Sequence, residues 1–230
     1  MTTVYIISAP SGSGKSTLVN RVRALVPNLD FSISYTTRKP RGSEKDGKEY
    51  FFIERETFED MVRQDEFLEH ADVFGNFYGT GRKFLRDAEH SGHDLLLDID
   101  VQGAEQIKRK LPFAVSIFIM PPDRQTLEDR LRNRSLDAEA VIQRRLATAT
   151  REIENYGNYD YILVNDRLDE SVETLKAILL AERLQRSELK PTTDHAGLLT
   201  RAEQCRLKNV RERLQPILAS FMPAPAPGGR

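Results

Sequence analysis

The stretch Ala9-Pro10-Ser11-Gly12-Ser13-Gly14-Lys15-Ser16-Thr17 constrains this chain more than any other. It follows the apolar run Val4-Tyr5-Ile6-Ile7, which has the β-branched and aromatic content of a short buried strand. Behind it Leu18, Val22 and Leu25 recur at helical spacing, so a helix is expected to start near Lys15. Strand, glycine-rich loop and helix are the setting that a phosphate-binding loop requires. The loop N–H groups and the helix N-terminus converge on an anion, and glycines let the backbone come close to it. In such a loop Lys15 reaches the β- and γ-phosphates of a nucleoside triphosphate, and the Ser16 hydroxyl holds Mg²⁺. The strict pattern has glycine where Ala9 stands, a small departure. Residues 9–17 are therefore expected to bind a nucleoside triphosphate.

The rest of the chain reads as an α/β fold around that loop. Leu95-Leu96-Leu97-Asp98-Ile99-Asp100, Ala114 to Met120 and Tyr161 to Val164 are short apolar runs of the kind buried on both faces of a parallel sheet. Helical segments lie between them, giving the βαβ alternation of such a sheet. An acidic residue closing one of these strands is the usual second half of a phosphate-loop site, and Asp98 fits that role. Asp100 fits it too, but would equally cap the helix starting at Val101. From 33 to 80 the alternation stops. Strands are expected over Ser32–Thr37, Lys48–Ile53, Phe67–Phe74 and Asn76–Thr80, with a helix over 55–64. Such a β-rich insertion commonly carries a second substrate.

Residues 123–151 are dense in arginine: Arg124, Arg130, Arg132, Arg134, Arg144, Arg145 and Arg151. Two helices broken near Asn133–Asp137 would carry them, and interleaved acids mark several as a solvated face. Planar guanidinium groups match the oxygens of a transferring phosphoryl group, and a helix–loop–helix above a phosphate site suits a closing lid. Arg130, Arg134 and Arg145 are the expected functional members, the others mostly surface. A long helix is expected over Leu168–Leu189, and a second amphipathic stretch over 197–220. The Pro- and Ala-rich end from Met222 has a disordered composition. The formal net charge of −1 argues against bulk nucleic-acid binding. No run has the length of a membrane span, and the single Cys205 fits a reducing compartment, so a cytoplasmic protein is expected.

Several separated motifs together resemble the guanylate kinase family over roughly residues 3–188. They are the 8–16 loop, Ser34-Tyr35-Thr36-Thr37-Arg38-Lys39-Pro40-Arg41, Gly47-Lys48-Glu49-Tyr50-Phe51-Phe52 and Phe67-Leu68-Glu69. Asn76-Phe77-Tyr78-Gly79-Thr80, Asp98-Ile99-Asp100-Val101-Gln102-Gly103 and Val164-Asn165-Asp166 complete the set. The resemblance implies a P-loop fold and transfer of a phosphoryl group from ATP to GMP with Mg²⁺. It implies a core of 1–32, 81–122 and 156–189, a GMP-binding unit of 33–80 and a lid of 123–155, while 190–230 reads from its own pattern as a C-terminal helix and Pro-rich tail. A carboxylate such as Glu69 accepts the two adjacent guanine donors, N1–H and the N2 amino group. Ser34 and Thr80 supply hydroxyls to the base edge. The resemblance assigns Arg38, Arg41, Tyr50 and Tyr78 to the GMP phosphate. It gives Asp98 and Asp100 the organisation of the metal, its waters and the site arginines. Lys15, Asp98, Arg134 and Arg145 would carry catalysis, with Arg130 and Arg134 on ATP and Arg145 also reaching GMP.

Two features depart from the family. Ser135 follows Arg134 where glycine is usual, and residues 190–230 run beyond the resemblance. The competing reading is a guanylate-kinase-like module that binds phosphopeptides without catalysis. Such modules have lost a working phosphate loop, whereas Gly12, Gly14, Lys15 and Ser16 all stand here.

Overall fold

A computed structural model describes residues 2–73, 75–134, 138–187 and 192–222. Five parallel strands make its central sheet: β1 (Val4–Ser8), β2 (Leu29–Ser32), β7 (Asp94–Asp98), β8 (Val115–Met120) and β9 (Tyr161–Val164). Their order is β2-β7-β1-β8-β9, so β1 and its loop lie at the centre. Successive side chains of a strand point to opposite faces, and here both faces are covered. Val4, Ile6, Leu95, Leu97 and Phe118 enter one apolar layer. Tyr5, Ile7, Leu96, Ile117 and Leu163 enter the other. Unbroken apolar runs are the sequence signature of that double burial.

Helices α1 (Lys15–Arg23) and α7 (Leu168–Arg186) cover the second layer through Leu18, Val22, Val172 and Leu175. The first layer is covered by α4 (Val101–Lys110), α5 (Arg124–Arg134) and α6 (Glu139–Ile153), which contribute Ile107, Leu127, Leu131, Ile142 and Leu146. A separate four-stranded sheet, ordered β4-β3-β6-β5, comprises β3 (Tyr35–Thr36), β4 (Phe51–Phe52), β5 (Phe67–Val73) and β6 (Asn76–Gly81). Helix α2 (Arg55–Arg63) lays Phe58 on it, stacked 4.5 Å from Phe67 and tilted against Phe77 at 5.4 Å between ring centroids. Helix α3 (Arg82–Ser91) returns the chain to the central sheet.

Three sequence expectations need correction. The strand expected over Ser32–Thr37 is two strands in different sheets. Ser32 ends β2, which pairs with β7, while only Tyr35–Thr36 joins the second sheet. The strand expected over Lys48–Ile53 shrinks to Phe51–Phe52. Side chains hold its first half as a turn, with Glu49 accepting the Lys45 N–H at 2.7 Å and Asp46 the Phe52 N–H at 2.9 Å. The amphipathic stretch 197–220 is two helices, α8 (Ala196–Glu203) and α9 (Leu207–Phe221). Between them Arg206 bridges Tyr161, and the Ile162 N–H donates to the Cys205 carbonyl at 2.8 Å. The segment gives up helical bonds to pair with the exposed edge of β9, so Cys205 lies in a turn and not in a helix. Among the described residues no helix is long and apolar enough to cross a membrane.

Candidate active site

The loop after β1 turns twice through backbone that favours glycine, with φ of 91° at Gly12 and 86° at Gly14. A Cβ on Gly14 would stand 2.4 Å from Asn165 Nδ2, so that position excludes side chains on space as well. The Asn165 amide itself donates to the Ser13 carbonyl at 2.7 Å and ties the loop to the end of β9. α1 then opens at Lys15 with its first N–H groups facing the loop. Lys15 Nζ pairs with Asp98 at the end of β7, the strand hydrogen-bonded to β1 in register Ile7 to Asp98. Burial weakens the lysine charge, but Asp98 outweighs it and the lysine pKa ends above its ordinary value. Lys15 is thus a held cation between two strand ends.

The loop floors a cleft of about 530 Å³, lined by residues 9–12 and 14–16, Arg41, Tyr78, Arg144, Arg145 and Glu152. It adjoins a smaller pocket of about 230 Å³ lined by Ser34, Tyr50, Glu69, Asp98 and Asp100. Lys15, Val73 and Tyr78 line both. In the smaller pocket β5 and β6 pair Glu69 directly with Thr80, whose hydroxyl donates to Glu69 Oε1 at 2.6 Å. Glu69 is only 4% exposed. Burial first, then Asp100, push its pKa up to about 7 against the bonds from Thr80. α4 passes so close that a Cβ on Gly103 would stand 2.6 Å from Glu69 Oε2. Asp100 caps that helix, accepting the Gly103 N–H at 2.8 Å, and still lines the pocket.

Arg38 lines neither cavity but backs two residues that do: its Nε donates to the Tyr78 hydroxyl at 3.2 Å and its guanidinium lies 5.4 Å from the Tyr50 ring centroid. Burial works against the Arg38 charge, while Glu44 and Tyr78 raise its pKa. Glu44 pairs with Arg38 at 3.0 Å and accepts the Arg41 N–H at 2.8 Å, so one acid shapes the whole basic turn. The sequence reading missed Glu44, although an acid three residues past Arg41 was a signal for it.

On the other wall, α6 turns Val141, Arg145, Thr148 and Glu152 to the cleft, a stripe at helical spacing, with Arg144 beside it. Arg144 was expected at the surface. It is exposed, yet it faces the phosphate cleft, because the face of α6 opposite Ile142, Leu146 and Ala149 borders the loop. Glu152 was missed altogether, though it is the acid on that stripe. Burial pushes its pKa up to about 7, with Lys15 and the Ser11 N–H pulling it back, and its Oε2 has no partner among the described residues. Arg130 stands apart from the cleft lining. It donates to the carbonyl of Asn165 at 3.0 Å, behind the loop. The Arg134 side chain and Ser135 lie outside the described residues.

Comparison with known proteins agrees with this architecture. The family model described as guanylate kinase matches residues 1–182. The guanylate kinase of Koribacter versatilis (strain Ellin345) is 57% identical over 228 residues, 98% of each chain. That of Escherichia coli (strain K12) is 48% identical over 194 residues, 84% of this chain and 94% of its own. The crystal structure of guanylate kinase from Anaplasma phagocytophilum superposes with a TM-score of 0.67 at 36% identity, covering 88% of this chain and 94% of that one. With a family match across most of its length and the two halves of a phosphate-transfer site side by side, this chain belongs to the guanylate kinase family.

Proposed function

We infer that the guanylate kinase activity of this chain, transfer of the γ-phosphoryl group of ATP to GMP, runs through the junction of the two cavities. The observation that carries this reading is the position of Lys15, which lines both the loop cleft and the Glu69 pocket. A cation there faces the γ-phosphate from one side and the attacking GMP phosphate from the other. It offsets the charge that in-line transfer concentrates between them. Residues 9–17 cradle the ATP phosphates with backbone N–H groups. Arg145, with Arg134 of α5, completes the donor side, and Arg130 braces the loop from behind through the Asn165 carbonyl. Glu69, Ser34 and Thr80 read the guanine edge, and Arg38, Arg41, Tyr50 and Tyr78 grip its phosphate. The acceptor is already anionic, so positioning outweighs base catalysis. Closure of α5 and α6 excludes water that would hydrolyse ATP.

Ser16 and Asp98 fit Mg²⁺, since both offer hard oxygen and leave most positions to water and phosphate. Held by Ser16 and Asp98, the ion would supply positive charge that offsets the negative charge of the phosphates. Asp98 holds Lys15 while Asp100, its Oδ1 committed to α4, orders the pocket wall. The test is ADP release with ATP and Mg²⁺, comparing GMP, AMP, UMP and dTMP. Turnover with GMP alone supports the reading. Binding without turnover moves the chain to the phosphopeptide-module class. A reducing compartment such as the cytoplasm suits the lone thiol of Cys205.

Gly103 gives a specific check on base reading. In Gly103→Ala the new methyl meets the far end of Glu69, which can swing aside. The expected outcome is a roughly tenfold higher KM for GMP, about the worth of one charge-assisted hydrogen bond, with the KM for ATP and the Tm little changed. Steady-state kinetics with each nucleotide varied in turn, beside a melting curve, decides it.

A further inference from the structure

The described part of α9 lies beyond the 1–182 family match, and its two ends are anchored on different parts of the kinase core. At its start, the Arg206 guanidinium lies 4.6 Å from the Tyr161 ring centroid and donates to Glu182 Oε1 at 2.8 Å. The Tyr161 hydroxyl donates to the same oxygen at 2.6 Å, and the Leu207 N–H donates to the Asp160 carbonyl. That fixes the first turn to the edge of the central sheet.

Its far end reaches α5. Ser220 Oγ accepts the Arg124 N–H at 3.0 Å and donates to the Ile217 carbonyl at 2.6 Å. The first N–H groups of a helix have no partner of their own. Asp123 satisfies Thr126 at 2.6 Å, and Ser220 satisfies Arg124 from ninety-six residues away. Leu214 and Phe221 enter the same apolar cluster as Leu127 and Leu131 of α5.

α5 in turn touches the phosphate loop by two routes. Leu127 Cδ1 and Leu131 Cδ2 would each stand 3.0 Å from a Cβ on Gly12, so these side chains press on the loop where its φ is positive. Arg130 donates to the Asn165 carbonyl, and the Asn165 amide donates to the Ser13 carbonyl. A shift or loosening of α5 therefore reaches Gly12 and Ser13 directly, while Glu69 itself is held by Thr80 and the start of α4 and makes none of these loop contacts.

We propose that α9 is a strap from the sheet edge to the base of α5, and that Ser220 and Phe221 are positioning residues for the ATP phosphate loop. The proposal rests on the assignment of that loop to ATP. The strap acts on the donor side alone, so its loss separates the two substrates.

The test compares Ser220→Ala, Phe221→Ala and the double variant with wild type, at a temperature where circular dichroism shows each folded. Tyr5→Phe serves as a stability control, because it removes the hydroxyl bond to the Leu179 carbonyl on the opposite face of the sheet. The expected result is a KM for ATP raised about threefold in Ser220→Ala and about tenfold in the double variant, as loss of one and then several contacts would give. KM for GMP and kcat at saturating ATP stay within twofold. Ser220→Thr, which keeps the acceptor, restores the wild-type KM. Unchanged KM values, an equal rise for both nucleotides, or the same ATP shift in Tyr5→Phe would each overturn the strap. Absence of ATP-dependent turnover in wild type would instead overturn the loop assignment beneath it.

Discussion

Replacing Lys15 by methionine is expected to lower kcat about a thousandfold while leaving KM for GMP within a few-fold. Methionine keeps much of the length and apolar stem of lysine, so the loss is that of the charge. A preorganised donor aimed at developing negative charge is worth on the order of 10²–10³ in rate, and Lys15 lies at the junction where both phosphates meet. Lys15→Arg should rescue little. The ammonium pairs with Asp98 in a half-buried setting, 21% and 19% exposed on the two side chains, and a planar guanidinium needs room to each side. Methionine also leaves the Asp98 carboxylate without its cation, so the unliganded variant should melt a few degrees lower. Asp98→Asn in the same background should recover the melting temperature but not the rate. Single-turnover kinetics with ATP and GMP separate the two effects, and a Lys15→Met enzyme with near-normal kcat would remove Lys15 from the mechanism.

The parts of this site that were legible in the sequence are the parts that are local. Loop residues 9–17 lie between a strand and a helix that declare themselves by apolar content and spacing, and Asp98 closes a run of three leucines. Two parallel neighbours at the sheet centre then bring Lys15 and Asp98 together without any further information. Glu44 was legible in principle as a local acid beside Arg38 and Arg41, whereas Glu152 and Ser220 were not, because each acts through a partner set by packing: a cleft wall and a helix end in another element. The same cause explains the misread elements. Leu29–Ser32 is a half-exposed edge strand, too short to show a period before the second sheet begins. The 197–220 pattern is helical throughout, and only the open edge of β9 breaks it at Arg206. The motifs marked the loop and the acid facing it, whereas the geometry of α5, α6 and α9 around them came from tertiary burial.

Glu69→Gln is expected to impair the enzyme and stabilise the unliganded fold at once. Guanine presents two donors to this position, and a carboxylate accepts both, whereas an amide offers one acceptor and turns its own donor toward the base. One hydrogen bond to a charged group is lost and a buried donor is left facing another donor. KM for GMP should rise about a hundredfold or more while KM for ATP stays near its wild-type value. Stability moves the other way. In the unliganded protein Glu69 keeps its proton up to about pH 7, because burial disfavours its charge, whereas an unfolded glutamate loses it near 4.5. A raised acid of this kind contributes stability below the unfolded pKa and loses it as pH rises through the folded one. Above pH 7 the ionised Glu69 therefore costs roughly 3 kcal/mol, at 1.36 kcal/mol per pKa unit, and glutamine carries no such cost. Urea unfolding should place the variant above wild type at pH 8 and close to it at pH 4.5. Glu152 titrates in the same range, so the difference between the two proteins, and not the wild-type slope, isolates Glu69. Binding shows the other side of the same equilibrium. The guanine donors select the ionised carboxylate, so wild-type KM for GMP should climb about tenfold from pH 8 to pH 6, as a pKa near 7 requires. The GMP phosphate titrates too, but it does so in the variant as well. A variant whose KM keeps the full wild-type pH slope would show that Glu69 is not the group that reads the base.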